Sequence, residues 1–266
     1  MNYYCVRRGH FGVIGVVAVA LTSVGRVTSG ASISFADPVA TTSDGILDQP
    51  GTVVHAGLFG VGPQTVITPG STTINFVVTP GEETQAASGT TTRMFGTAAY
   101  FSITESVFDN SLAIVSNQFD NVLDAFSYGP NLGNTHGTLR LGGLTIGRNY
   151  TIQLLSSDDR GGGHTVQFAD STDRTGTTGN VSVRFSPASN PSIIGSFTAT
   201  AVFQDVFVFG FANSTTAQVN GFAQTLNAYV LRDVTAVPEP TTGTVFFLGG
   251  MVLTQFGLRR RGERSC

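Results

Sequence analysis

The chain has 266 residues, with 14 arginines and no lysine against 17 acidic side chains, a net charge of −3. An acidic, lysine-free surface repels phosphate backbones, which argues against a nucleic-acid partner. Its two cysteines, Cys5 and Cys266, sit at opposite ends, so the residues between them have neither a disulfide nor a catalytic thiol.

From the N-terminus, Arg7, Arg8 and His10 precede an apolar run from Phe11 to Val24, and small residues follow at Thr28-Ser29-Gly30-Ala31. Basic, apolar, then small is the order of a secretory leader. The basic end stays in the cytoplasm while the apolar part enters the translocon as a helix. This reading makes residues 1–31 a signal peptide cut after Ala31, with Ser29 at the other small position. The alternative for the same run is a first buried strand or helix. Phe11 lies one place too far from the arginine pair for a twin-arginine signal, and no cysteine follows to carry a lipid.

The body then spans 32–236, roughly 205 residues, enough to bury a sizeable core without cross-links. It holds seven arginines, twelve aspartates and three glutamates, leaving a charge of −8. Its Thr, Ser, Gly, Val and Phe are punctuated by turn formers every 8–12 residues or so, the pattern of an all-β sandwich or barrel. Strands are predicted at Thr52–Phe59, Thr72–Val78, Thr97–Thr104, Thr138–Leu141, Asn149–Ser156, Thr165–Ala169, Val181–Phe185, Ile193–Ala199, Ala201–Phe211 and Thr225–Val234. Within Val202–Phe211, valines alternate with phenylalanines, so that strand is apolar on both faces and belongs in the middle of a sheet or under a covering element.

One segment has a different period. Phe108, Leu112, Val115, Phe119, Val122 and Phe126 are spaced 4, 3, 4, 3, 4, which predicts a packed helix near 107–127, ended by Tyr128-Gly129-Pro130. Asp109, Asn117, Asp120, Asn121 and Asp124 would form its polar face. That acidic face does not suit a membrane surface.

Further on, Asp158-Asp159-Arg160-Gly161-Gly162-Gly163-His164 and then Asp170, Asp173 and Arg174 flank one short strand. Four carboxylates on two glycine-permitted loops are the raw material for calcium, which takes six to eight oxygens. The same residues serve equally as turn formers, some paired with Arg160 or Arg174. A D-x-D-x-D-G loop is absent. Enzyme signatures are missing as well. His55, His136 and His164 are far apart with no H-x-H or H-E-x-x-H, and no G-x-S-x-G or G-x-G-x-x-G occurs. Glu82-Glu83 and Glu105 do not read as the buried pair of a glycosidase. The chain has no Trp, the preferred sugar platform. Tyr100, Tyr128, Tyr150 and Tyr229 remain, and the last two fall in strands and read as core.

At the other end, Val237-Pro238-Glu239-Pro240-Thr241-Thr242 precedes an apolar stretch from Gly243 to Leu258 and then Arg259-Arg260-Arg261. Two prolines around one residue keep the chain extended and accessible. As a helix, Thr241 to Leu258 would reach about 27 Å, marginally enough for a ~30 Å hydrocarbon core. Arginines directly after it would stop transfer and stay cytoplasmic.

Residues 237–266 closely resemble the PEP-CTERM sorting signal: a Pro-Glu-Pro motif, one transmembrane helix and an Arg-rich tail. The resemblance implies recognition by an exosortase, removal of the tail, and a bacterium that makes extracellular polysaccharide. An ordinary tail anchor is the rival reading. Thr138-Leu139-Arg140-Leu141-Gly142-Gly143-Leu144, Tyr150-Thr151-Ile152-Gln153-Leu154-Leu155, Gly195-Ser196-Phe197-Thr198-Ala199 and Leu226-Asn227-Ala228-Tyr229-Val230-Leu231 resemble an uncharacterised jelly-roll-like domain of exported planctomycete-type proteins. They resemble galactose-binding-like and malectin-like modules more loosely. In those folds, loops at one end of a β-sandwich bind sugars or calcium, but no residue of a known sugar site maps onto this chain. The expectation is an exported, non-catalytic cell-surface or matrix protein, transiently anchored in the inner membrane. The alternatives are a calcium- or carbohydrate-binding module and, third, a glycan-active enzyme.

Overall fold

The computed structural model describes residues 30–59, 62–82, 92–95, 99–100, 116–124, 126–128, 136–158, 164–173, 175–212 and 224–235. The leader through Ser29 and the sorting tail lie outside them. The described part is all-β with one short α-helix and two single 3-10 turns, Asp44–Leu47 and Pro187–Ser189. In chain order the strands are β1 Ser34–Phe35, β2 Val39–Ala40, β3 Thr52–Leu58, β4 Gln64–Ile67, β5 Thr73–Val78, β6 Gly81–Glu82, β7 Arg93–Phe95 and β8 Ala99–Tyr100. After the helix α1, Asn117–Leu123, come β9 Ser127–Tyr128, β10 Gly137–Gly142, β11 Asn149–Leu155, β12 His164–Ala169, β13 Pro191–Thr198, β14 Phe203–Ala212 and β15 Ala228–Asp233.

A first sheet runs β1-β13-β11-β15-β3-β5-β4, with β2 also on β13, and a second runs β12-β14-β10-β7-β6. A small third pair is β8-β9. Among the described pairings only β3 with β5 and β6 with β7 are parallel.

The period of two along each strand decides where side chains go. Tyr150, Ile152 and Leu154 of β11, Ile193 and Phe197 of β13, and Tyr229 and Leu231 of β15 share one buried cluster with the second sheet. Leu139 and Leu141 of β10, Val166 and Phe168 of β12, and Val206 and Val208 of β14 are the second sheet's contribution. The two sheets therefore enclose a common core in a sandwich-like arrangement. Each of these side chains contributes about 1.5–3 kcal/mol on full burial.

The first sheet has a second covered face. Leu155, Ala56, Leu58, Ala228 and Val230 pack with Val66, Ile74 and Phe76 of the β4–β5 hairpin, with Leu47, and with Phe119, Val122 and Leu123 of α1. On the far face of the second sheet, Phe207, Phe209 and Phe211 bury with Ala169. The alternation in β14 thus has its predicted outcome: the strand lies between β12 and β10 and is apolar on both sides.

Two expectations are corrected. The helix is shorter than the 107–127 period predicts, because Ser116 is its N-cap, with extended backbone at φ −69° and ψ 154°. Ser116 Oγ accepts from Phe119 N at 3.2 Å, and Ser116 N donates to Asp44 Oδ1 at 2.8 Å, so both groups are engaged in starting the helix there. Phe119 and Val122 are buried as the period requires, Asp120 is buried although assigned to the polar face, and Phe126 is buried beyond the helix end. Phe108, Leu112 and Val115 lie outside the described residues. The predicted strand Val181–Phe185 is no continuous strand. It touches β12 through two isolated bridges, Val166 with Phe185 and Ala169 with Val181.

Gly57 in β3 sits directly opposite Tyr229 in β15. A Cβ at this position would overlap Thr79 Oγ1 and the Tyr229 hydroxyl. Gly57→Ala should lower stability by about 1–3 kcal/mol, the ordinary cost of overpacking a filled core, seen as a lower midpoint in urea unfolding.

Candidate functional site

The acidic loops are the first place to look. Asp170, just past the end of β12, is buried, and both of its oxygens accept protein donors. Oδ1 takes Asn180 N at 2.8 Å, and Oδ2 takes Ile33 N at 2.9 Å and Ser32 Oγ at 3.4 Å. Asp173 Oδ1 takes Thr175 N at 2.9 Å and Thr175 Oγ1 at 2.6 Å, while Oδ2 takes Thr178 N at 2.7 Å and Thr178 Oγ1 at 3.1 Å. These hydrogen bonds, those from Thr175 foremost, hold the Asp173 carboxyl well below the usual carboxylate range. Asp158 is buried where its backbone N donates to Pro187 O at 3.2 Å. Asp159 lies outside the described residues. Among the described residues no three His, Cys, Asp or Glu side chains gather where one metal ion could hold them. Asp170 ties the start of the body to the β12 end, and Asp173 closes its own loop.

The histidines that the sequence scatters stay scattered. His55 stacks on Tyr229 with ring centres 5.7 Å apart, and its Nδ1 lies 2.9 Å from the Tyr229 hydroxyl, which also meets Thr79 Oγ1 at 3.2 Å. Burial pushes the Tyr229 phenol well above its ordinary value. His136 packs edge-on against Phe207 at 5.2 Å and beside Phe209 at 5.5 Å. His164 is buried at the start of β12.

One opening among the described residues was not among the sequence candidates. A cleft of about 380 Å³ lies at the edge of the first sheet, where β1, β13 and β11 meet the segment around Asn180. Its polar lining is Ser32, Ser34, Asn149, Asn180, Ser196 and Thr198, every one exposed. Ser34 and Ser196 face each other across the β1–β13 ladder, and Thr198 Oγ1 donates to Asn149 Oδ1 at 2.7 Å across β13–β11. Asn180 Nδ2 donates to Ser32 Oγ at 2.7 Å and Ile33 O at 2.9 Å, which leaves its amide oxygen for solvent. Beneath lie Tyr150 and Phe197, stacked 5.7 Å apart, and Val234 completes the lining. Among the described residues no carboxylate, imidazole or guanidinium is part of that lining. Hydroxyls and amides over an apolar floor can exchange hydrogen bonds with a neutral, hydroxylated molecule. They offer neither the charge to hold an ion nor an acid–base pair for hydrolysis. The sequence signal was the alternation Ser32-x-Ser34 and Ser196-x-Thr198, which puts hydroxyls on one strand face.

Burial lowers the imidazoles of His55 and His136 from their ordinary 6.5. The folded state therefore binds fewer protons than the unfolded chain below that pH, and stability is full above 6.5 and declines as pH falls through the depressed values. Urea midpoints should be flat between pH 8 and 7 and fall between pH 6.5 and 5. His55→Asn should flatten part of that decline.

No protein-family model, no curated protein and no solved structure matches this chain.

Proposed function

We propose that this chain is an exported, non-catalytic protein of the cell surface or extracellular matrix, sorted by a PEP-CTERM-type tail. The observation that carries this reading is the order of features at the two ends: basic, apolar, small at the start, and Pro238-Glu239-Pro240, apolar stretch, Arg259-Arg260-Arg261 at the finish. On this reading an exosortase recognises the Pro-Glu-Pro motif while the apolar tail holds the protein in the inner membrane. The body, a jelly-roll-like sandwich, is released to the envelope or to extracellular polysaccharide. Among the described residues no helix is long and apolar enough to cross a membrane, and residues 236–266 lie outside them. The folded part is compatible in chemistry. It is held by two hydrophobic clusters on either side of one sheet, with no cysteine anywhere in 32–236. Fractionation of cells bearing the parent chain and a Pro238→Ala, Glu239→Ala, Pro240→Ala variant tests the proposal. The parent should reach the envelope or medium without its tail, and the variant should stay longer in the inner membrane. A mature protein found only in the cytosol overturns it.

The uncharged cleft favours a second reading, a carbohydrate-binding module for neutral glycan. Calcium has weaker support, because Asp170 already accepts three protein donors and Asp173 four. A glycan-active enzyme has the least, since no carboxylate pair facing a cleft supports it among the described residues. Asn149→Ala with Asn180→Ala removes two side-chain amides from the rim and should weaken glycan binding about tenfold or more, at roughly 0.5–1.5 kcal/mol per hydrogen bond. A glycan array on which the parent chain binds nothing removes this reading.

A further inference from the structure

The start of the body is built into the core. Ala31 is 9% exposed and shares the inter-sheet cluster with Ile33, which is fully buried. Its backbone N donates to Gln204 Oε1 at 2.6 Å, and Gln204 itself is 1% exposed at the second position of β14. The other end of that carboxamide is engaged too, as Gln204 Nε2 donates to Asp205 O at 3.0 Å. Ala31 N is the only partner found for Gln204 Oε1 among the described residues. One residue earlier, Gly30 lies so close to the same carboxamide that a Cβ would overlap it.

Removing residues through Ala31 would delete the donor and leave a buried amide oxygen facing an empty position. It would also take an apolar side chain out of the cluster. A cut one or two bonds earlier has neither effect. After Gly30, the new amine is that of Ala31, still a donor to Gln204 Oε1. After Ser29, the amine falls on half-buried Gly30 and the Ala31 amide is untouched. The cut after Gly30 also meets the small-x-small requirement of a leader cut, with Thr28 and Gly30, while the cut after Ser29 has a small residue at Ser29 and Val27 two places before it.

We infer that the leader is cut ahead of Ala31, so that Ala31 is retained as a structural residue of the mature protein. The inference rests on the export reading above. The step is hydrolysis by a membrane-bound leader peptidase. Water adds across the peptide bond, giving a carboxylate on the departing leader and an amine on the body.

The test is the N-terminal sequence and intact mass of the protein recovered from the envelope or medium. A start at Gly30 or Ala31 is expected, and a start at Ser32 or beyond overturns the inference while leaving export intact. Uncut protein confined to the cytosol would instead overturn the export reading. A second measurement avoids any effect on folding, because processing precedes it. Ala31→Tyr puts a bulky residue at the last position of the leader if the cut follows residue 31, and inside the mature chain if the cut comes earlier. Normal processing of this variant is expected, and accumulation of its precursor overturns the inference.

Discussion

The first sheet is covered on both faces, and the rest of the molecule follows from that constraint. In β15, Tyr229 and Leu231 enter the cluster between the sheets, while Ala228 and Val230 enter the cluster under α1 and the β4–β5 hairpin. A polar side chain in such a strand has no water to turn to and must find a protein partner. Arg232, 1% exposed, donates through NH2 to Leu47 O at 2.6 Å and through NH1 to Gln153 Oε1 at 3.4 Å, and burial lowers its pKa to about 10. Gln153 Nε2 in turn donates to Ile46 O at 2.8 Å and Ser192 Oγ at 2.9 Å. Asn227 accepts from Ser157 N and donates to Leu123 O, both at 2.6 Å. The polar groups that burial makes expensive are thus the ones that fasten the covering pieces: Arg232 and Gln153 hold the turn at Asp44–Leu47, and Asn227 holds the end of α1.

The second sheet solves the same problem with charge. Arg140 and Asp205 stand opposite each other in β10 and β14, joined by two bonds of 2.7 Å, Nε to Oδ1 and NH2 to Oδ2. The guanidinium lies 4.3 Å from the centre of the Phe203 ring. A slip of one residue between these strands would turn Arg140 or Asp205 toward Leu139, Leu141 and Val206 in the core, so the pair fixes register. Arg184, 3.7 Å from the centre of the Phe211 ring, is likewise engaged within the fold. The contrast with the cleft is chemical: these charges face protein partners, and the described lining of the cleft is uncharged.

How much of this was legible depended on how local the cause is. β3, β5, β10, β11, β12, β13, β14 and β15 stand within a few residues of where alternation put them, because each is long enough for its own period to show. Ser34–Phe35, Val39–Ala40 and Gln64–Ile67 were missed. Two to four residues have no period to read, and they are strands only because β13 and β5 offer them a ladder. The helix start failed for a related reason: the apolar spacing runs across Ser116, and the cap that sets the start depends on a bond to Phe119 N and on one to distant Asp44, neither of which has a period. The acidic cluster could not be resolved from composition, since an aspartate that accepts backbone donors and one that binds an ion are the same letter. The cleft was hidden because Ser32 and Ser34 lie far along the chain from Asn149, Asn180 and Ser196, and nothing local joins them.

The latch at the start of the body has a consequence for the order of assembly. Ile33 N finds Asp170 137 positions later, and Ala31 N finds Gln204 173 positions later. β1 needs β13, and β3 needs β15, the last strand described. Contacts of such separation close large loops and form slowly. A chain that leaves the ribosome start first exposes its opening strands to solvent until nearly all the rest has followed. The residues made earliest are therefore among the last to be secured, and the unfinished sandwich keeps an open strand edge until its closing strands arrive.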